Sequence, residues 1–248
     1  MTAPAMTRPA PSRPREAPAG PSLSIVMPTL DEAGGIAAAL KRLAAQAPEA
    51  ERVVVDGGSR DGTPALAAPL ARVIRCESPR PGRANQMNRG AWESGGDWLL
   101  FLHADTRLPE GFLLEIARAA GQGYQAGAFR LRIAGRHPLL PLLAWGANLR
   151  TRWLRIALGD QALFCSRALF TAQQGFPPLP LLEDYVFTLR LRQAGIPLYL
   201  ARLAVETSGR RWDAQGFWRT WWRFRRIYWR FRREPDLERL RAGYRDAR

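Results

Sequence analysis

Through the first half of the chain, apolar runs of strand length alternate with segments of helical period. LSIVMPTL (23–30) precedes IAAALKRLAAQA (36–47), and ERVVVDGGS (51–59) precedes TPALAAPLA (63–71). RVIRCES (72–78) is followed by GRANQMNRGAWESG (82–95), and DWLLFLHADT (97–106) by PEGFLLEIARAAGQ (109–122). The runs are rich in β-branched residues and nearly continuous in apolar character, as strands covered on both faces are. Alternation of such strands with helices predicts an α/β domain with a mostly parallel sheet. The second half is less regular. AGAFRLRI (126–133) reads as a strand, HPLLPLLAWGANLRTRWLR (137–155) as a helix and QALFCSR (161–167) as another strand. LLEDYVFTLRLRQAG (181–195) reads as a helix ended by Gly195, and PLYLARLAV (197–205) as the strand after it. The chain shows no internal repeat.

Polar residues gather where the early strands end: Thr29, Asp31 and Glu32 after the first, Asp56 to Asp61 after the second, and His103 and Asp105 after the fourth. In open α/β sheets, ligands bind beyond the carboxyl ends of the strands, so one rim collects these carboxylates. In an extended segment His103 and Asp105 point the same way, as a pair of metal ligands or as an ordinary strand end. In VVVDGGSRDGT (53–63), a helix-initiating turn accounts for Gly62 and Thr63. Asp56 is a carboxylate at a buried strand end, where a ligand with N–H or hydroxyl donors would satisfy it. Neither a GxxxxGK[ST] loop nor a GxGxxG turn is present, which removes the fingerprints of P-loop and Rossmann proteins.

Composition narrows the class. The 248 residues are 46% hydrophobic, enough for a sizeable core. Residues 1–21, rich in Pro and Ala and lacking an apolar signal-peptide core, are expected to be a disordered tail. The longest apolar stretch, PLLPLLAWGANL (138–149), is too short to span a bilayer. Two cysteines provide neither a disulfide framework nor a CxxC metal site and fit a reducing cytoplasm. Of the net charge of +15, +8 lies from Arg210 onward, where 13 arginines face five acids. There FWRTWWRFRRIYWRFRR (217–233) sets Arg219, Arg223, Arg226, Arg230 and Arg233 on one helical stripe and Phe217, Trp221, Phe224, Tyr228 and Phe231 on a second. A basic, Trp-rich amphipathic helix suits an anionic membrane surface; its other reading is that the aromatic stripe packs on the body of the protein. Binding to nucleic acid is not expected, because no motif for it accompanies the charge.

The segments PTLDE (28–32), DGGSRDGT (56–63), GRANQMNRGA (82–91), LHADT (102–106), GDQALF (159–164) and LEDYVFTLRLRQAG (182–195) follow one another in the order seen in family 2 glycosyltransferases. The chain resembles that family over about residues 22–248, the final LERLRAGYRDAR included, and is similar in particular to small bacterial enzymes sometimes linked to arsenosugar biosynthesis. The resemblance implies a GT-A-like fold, a nucleotide-diphosphate sugar donor, a divalent metal (Mn2+ or Mg2+) and inversion at the anomeric carbon. LHADT lies where the family carries its DxD motif, which makes Asp105 the expected metal ligand with His103 beside it. Pro28, Thr29, Asp31, Glu32 and Asp56 would line the nucleotide pocket, with Asp56 on a uridine; Gly57 stands where a second Asp is frequent. Arg83 resembles the basic residue near the diphosphate. LEDYVF matches the ED motif, so Asp184 would be the catalytic base and Glu183 its orienting or helix-capping neighbour. Asp160 and Gln161 would touch sugar or acceptor. SGRRW (208–212) resembles the Q-x-x-R-W element of processive relatives without its Gln; Arg210 and Arg211 would still reach the diphosphate, in a single transfer rather than polymer synthesis.

These readings divide the chain into a tail (1–21), a GT-A glycosyltransferase domain (22–209) and a basic aromatic helical extension (210–248). The expected acceptor is a hydroxyl on a small or lipid-linked molecule, and the expected location is the cytoplasm, peripheral to the inner membrane face. Two rival functions follow from the same residues. A nucleotidyltransferase of related fold would need a Gly-rich phosphate loop after the first strand, which PTLDEAGG does not provide. A non-catalytic membrane- or nucleic-acid-binding protein would rely on the Arg-rich helix alone.

Overall fold

The computed structural model describes residues 22–76 and 82–233. The predicted tail, the end of RVIRCES and the terminal LERLRAGYRDAR lie outside the described residues. Strands β1 (Leu23–Thr29), β2 (Glu51–Asp56), β3 (Arg72–Arg75) and β4 (Trp98–Phe101) alternate with helices α1 (Ile36–Gln46), α2 (Thr63–Ala67) and α3 (Arg83–Glu93). A two-residue strand β5 (Thr106–Arg107), helix α4 (Phe112–Gly121), strand β6 (Ala126–Ala134) and helix α5 (Leu140–Leu154) follow. Next come a 3-10 turn at Gly159–Gln161, strand β7 (Phe164–Ser166), α6 (Arg167–Ala172), α7 (Glu183–Gln193), β8 (Leu198–Ser208), α8 (Arg210–Gln215) and α9 (Phe217–Arg233).

The strands form one mixed sheet in the order β3-β2-β1-β4-β7-β6-β8-β5. The first four are parallel, as their unbroken apolar runs require, and β7 enters antiparallel between β4 and β6. Alternation along each strand splits the core into two layers. Ile25, Met27, Val54 and Leu100 face α1 and α4, whereas Val26, Val55, Leu99 and Phe101 face α3, α6 and α7. The chain steps outward from β1 to β3 with α1 and α2 on one face, then crosses by α3 on the other face to β4. The direction of winding therefore reverses between β1 and β4, and a crevice opens beyond their carboxyl ends.

Helix α3 approaches the sheet through Gly90. A methyl group there would lie 2.5 Å from Val26 Cγ1 and 2.8 Å from Val55 Cγ2. This close approach carries Gln86 and Arg83, one and two turns earlier, to the ends of β1 and β2. Gly90→Ala should cost about 1–3 kcal/mol, because overpacking outweighs the roughly 1 kcal/mol that Ala gains in helix propensity. Urea denaturation would measure it, and a stabilised variant would refute the close-packing account.

Candidate active site

The loops after β1 and β2 are tied together before any ligand arrives. Asp31, in the left-handed region at φ 56°, accepts from Arg60 N at 2.8 Å, and its own N–H donates to Ser59 Oγ at 2.9 Å. Asp61 accepts from Ala33 N at 2.8 Å and from Thr63 N and Oγ1, while Glu32 N donates to Thr63 Oγ1. These bonds hold the Asp61 carboxyl below the usual range, the Thr63 hydroxyl contributing most. Asp56 is buried but not in want of a ligand. Its carboxylate accepts from Gly58 N, Ser59 N and Ser59 Oγ, so the turn itself satisfies the group that the sequence left unexplained.

The floor between these loops is Gln86, a residue the sequence reading passed over. Its carboxamide NH2 donates to Thr29 O and Val55 O, both at 2.8 Å, joining the ends of β1 and β2. The signal was its position one turn before Gly90 on the sheet-facing side of α3. It also accounts for Gly57: a Cβ there would lie 2.9 Å from Gln86 Nε2. Pro28 and Thr29 are buried in β1 below this floor, and the Thr29 carbonyl also accepts from Gly57 N at 2.9 Å.

FLHADT is not extended to its end. β4 stops at Phe101, and Thr106 N donates to His103 O at 3.1 Å, closing a turn over Ala104 and Asp105. The expectation that His103 and Asp105 point the same way by strand alternation is therefore corrected, because they sit at different positions of a turn. Asp105 is exposed, and its charge acts on Glu32 across the crevice. Glu32 is raised by burial first and by Asp105 next, against the pull of Arg210 and Arg83. His103 packs instead against the segment that follows α5. A Cβ on Gly159 would lie 2.9 Å from His103 Nε2 and 3.1 Å from Asp184 Oδ2, so the imidazole and that carboxylate flank the same backbone. Burial, then the charges of Arg83 and Arg211, hold His103 well below its ordinary pKa and leave it neutral.

Asp184 stands in the first turn of α7, half-buried. It accepts from Gly159 N through Oδ2 and from Tyr185 N at 2.7 Å through Oδ1. Glu183 is buried at 4% exposure and pushed up to about 7, by burial first and then by the Asp184 charge, with Arg83 opposing. Asp160 is raised to about 6 by burial, with Arg150 opposing and Asp184 adding to the rise. Its Oδ1 is buried without a hydrogen-bond partner, although the residue as a whole keeps some exposure. Gln161 is different. It is fully buried, and its carboxamide is spent on Arg150, Thr151 and the Phe129 carbonyl, so it braces the segment and does not face the crevice.

Arg83, at the first position of α3, is felt by Glu32, His103, Asp160 and Glu183 alike. Arg210 reaches Glu32 at 3.9 Å. Both arginines of SGRRW arrive there because Ser208 N donates to Asp105 O at 3.2 Å and Thr106 pairs with Thr207. Strand β8 thus ends beside Asp105 and releases α8 over the rim. Residues 24–163, which contain the β1 and β2 loops, Arg83, His103, Asp105 and Asp160, match the model of glycosyl transferase family 2. The chain belongs to that family.

Similarity to individual members is partial. A PGL/p-HBAD biosynthesis glycosyltransferase of Mycobacterium tuberculosis is 41% identical over 98 residues, 37% of this chain and 38% of the relative. The succinoglycan biosynthesis protein ExoA of Rhizobium meliloti is 36% identical over 108 residues, 39% of this chain and 33% of ExoA. The chain thus spans well under half the length of these relatives. Among solved structures, the mannosyltransferase PcManGT from Pyrobaculum calidifontis, in complex with GDP-Man and Mn2+, superposes with a TM-score of 0.67 at 21% identity, over 85% of this chain and 62% of that one. TarS 1–349 of S. aureus in complex with UDP gives 0.62 at 20% identity, over 75% and 60%. These neighbours establish the family's GT-A fold here: a curled, mostly parallel sheet flanked by helices, with a C-terminal helix.

Two tests follow from this geometry. Gly57→Ala and Gln86→Ala should each destabilise the protein, the first by displacing the carboxamide and the second by removing its two hydrogen bonds to strand-end carbonyls. Their combination should fall short of the sum by about 0.5–3 kcal/mol in chemical denaturation, and strict additivity would disprove the contact. Glu183 binds its proton more tightly folded than unfolded. Between pH 4.5 and about 7 the folded chain therefore holds a proton that the unfolded chain releases, and stability falls as pH rises through that window. Glu183→Gln should flatten the decline in melting temperature and be relatively most stable above about pH 7; an unchanged profile would refute the assignment.

Proposed function

We propose that the protein is an inverting glycosyltransferase. It moves a sugar in single transfers from a nucleotide-diphosphate donor, with UDP as the first choice of nucleotide, to a hydroxyl acceptor. The observation that carries this reading is the convergence on one crevice of a basic centre, Arg83, with carboxylates of two kinds. Glu32 and Asp105 lie on the side of the β1 and β2 loops, and Asp160, Glu183 and Asp184 lie on the side of α7. Neighbours of the same fold were solved with UDP, with GDP-Man and Mn2+, and, for glucosyl-3-phosphoglycerate synthase from Mycobacterium tuberculosis, with UDP and Mn2+.

On the donor side, Asp31, Asp56 and the buried strand end at Pro28 and Thr29 form the nucleotide pocket, Asp56 through the turn it shapes. Asp105 is an exposed carboxylate facing a second carboxylate, Glu32, a hard-oxygen setting that fits Mn2+ or Mg2+. Among the described residues no group of three or more metal-ligating side chains occurs, so the donor's phosphate oxygens would share in holding the ion. When bound, that ion neutralises the diphosphate; His103, neutral and turned toward Gly159, is a second ligand only if its ring turns back. Arg83, at the N-terminus of α3, would receive the leaving diphosphate, with Arg210 and Arg211 over the rim.

On the acceptor side, Asp184 takes the hydroxyl proton as the oxygen attacks C1 and the bond from C1 to the diphosphate oxygen breaks. Two backbone donors aim its carboxylate, and each oxygen keeps a lone pair for that proton. Glu183 is pushed up to about 7, by burial first and then by the Asp184 charge, so it keeps its proton below that pH. The orphan oxygen of Asp160 receives an acceptor or sugar hydroxyl. Membership in the arsenosugar-linked subgroup, a cytoplasmic location and peripheral attachment to the inner membrane face through α9 belong to the same reading. None of the described helices is long and apolar enough to cross a membrane.

Calorimetry with UDP, GDP and dTDP, each with and without Mn2+, tests the donor side. One nucleotide should bind in a metal-dependent manner and lose affinity in Asp105→Ala. Asp184→Asn should keep that binding while turnover falls about 10²–10⁴-fold. Failure of all three nucleotides with folded protein, or full turnover in Asp184→Asn, would overturn the proposal.

A further inference from the structure

Burial along α9 resolves three faces, where the sequence pattern showed two stripes. Phe217, Thr220, Tyr228 and Phe231 turn inward: Phe217 stacks on His137 at 4.4 Å, and Tyr228 and Phe231 meet the Tyr185 ring at 5.4 and 6.1 Å. Phe217, Tyr228 and Phe231 of the aromatic stripe therefore pack on the catalytic domain, while Phe224 stays 38% exposed. The tryptophans left exposed are others: Trp218, Trp222 and Trp229, at 60, 64 and 51%. Helical spacing places these three within about 40° of one another, beside the arginine face. An open concavity of about 800 Å³ along α9 is lined by Arg219, Trp222, Arg223, Arg225, Arg226 and Trp229, guanidinium and indole groups together.

A second helix carries a matching face. On α5, Leu142, Trp145 and Trp153 are exposed at 59, 60 and 74%, and their spacing puts them on one side. Leu154 is exposed at the helix end. The two helices are tied to the same neighbouring segments. α5 begins just after His137, on which the first residue of α9 stacks. Near its end, Thr151 bonds Gln161, while Tyr228 of α9 meets Tyr185. Those two partners belong to the segments joined by the hydrogen bond from Gly159 to Asp184.

We propose that the exposed faces of α5 and α9 form one docking surface for an anionic lipid bilayer, with the Asp184 side of the crevice at its edge. The proposal rests on the attachment assigned to α9 above and adds α5 as its second, inserting element. Charge chooses the occupant. Residues 217–233 hold seven arginines and no acid, and α5 with Arg155 holds three arginines and no acid. A second copy of this chain would bring like charge against like charge. A nucleic acid would pair with the arginines but gain little from Leu142 and Leu154. An anionic bilayer takes both, phosphates at the guanidinium groups and indoles at the headgroup level.

The test is sedimentation of the full chain with phosphatidylcholine vesicles, with and without phosphatidylglycerol, and quenching of tryptophan by brominated acyl chains. The protein should bind only the anionic vesicles and lose affinity with salt. Trp145→Ser with Trp153→Ser should weaken binding about tenfold, and Arg219→Gln with Arg226→Gln roughly thirtyfold, with nucleotide binding unchanged in both. Leu142→Ser serves as the α5 probe if the double variant does not fold. Normal vesicle binding by the α5 variants would overturn the two-helix surface while leaving attachment through α9 intact. No vesicle binding by the parent chain would overturn both, as would binding of RNA or of residues 234–248 as a free peptide in its place.

Discussion

The reversal of winding between β1 and β4 is the constraint on which the rest depends. The chain winds outward from β1 to β3 and returns by α3, on the other face, to β4 at the opposite side of β1, which leaves a crevice beyond the ends of these two strands. Every group assigned to donor or acceptor comes to that gap by its own route. Asp31 and Glu32 leave β1 directly, and Arg83 arrives on the helix that makes the crossover. Asp105 leaves β4 through a turn fastened on its far side by β8. Moving α3 outward by the width of one methyl at Gly90 would shift Arg83 and Gln86 together, so packing and chemistry are not separable in this region.

The acceptor side of the crevice is held together where Gly159 N donates to Asp184. The approach is close because residue 159 has no side chain: a Cβ would lie 2.9 Å from His103 Nε2 and 3.1 Å from Asp184 Oδ2. Strain collects around it. Non-glycine residues in the left-handed region include Arg155, Ala162 and Leu182 near this contact and Asp31 across the crevice. Such conformations cost about 1–3 kcal/mol each and persist where surrounding structure enforces them. Leu182 turns the chain sharply into α7 and presents Glu183 inward and Asp184 toward the crevice, which separates the roles of two adjacent acids.

Local patterns carried much of the fold into view. The buried runs give β1 to β4 with ends off by a few residues, because Thr29 and Asp56 close strands whose polar followers belong to loops. α6 and β5 escaped because a six-residue helix or a two-residue strand has no period to read, and the break between α8 and α9 escaped within the helical extension. The antiparallel entry of β7 escaped because pairing partners far apart in sequence leave no local mark. The site was legible by residue type and less so by geometry. His103 and Asp105 were visible as a pair, but the turn that parts them depends on hydrogen bonds that spacing does not encode. Gln86 looked like an ordinary polar helix residue, and only the carbonyls it meets reveal it as the floor of the crevice. Gln161 erred the other way, a polar residue in a motif whose donors and acceptors the fold consumes.

The electrostatics of the crevice also argue for its use. Burial raises Glu32, Asp160 and Glu183, and neighbouring carboxylates raise them further. A fold selected for stability alone would not gather such a set, since each ionised member is penalised by the others. The arginines around them offset only part of that cost and themselves lower His103. A cation beside Asp105 would relieve the repulsion between Asp105 and Glu32, and an anionic phosphate would add to the negative charge that Arg83 faces. Donor binding and protein stability should therefore be coupled in this chain, and the coupling has its origin in the same few side chains that the transfer reaction requires.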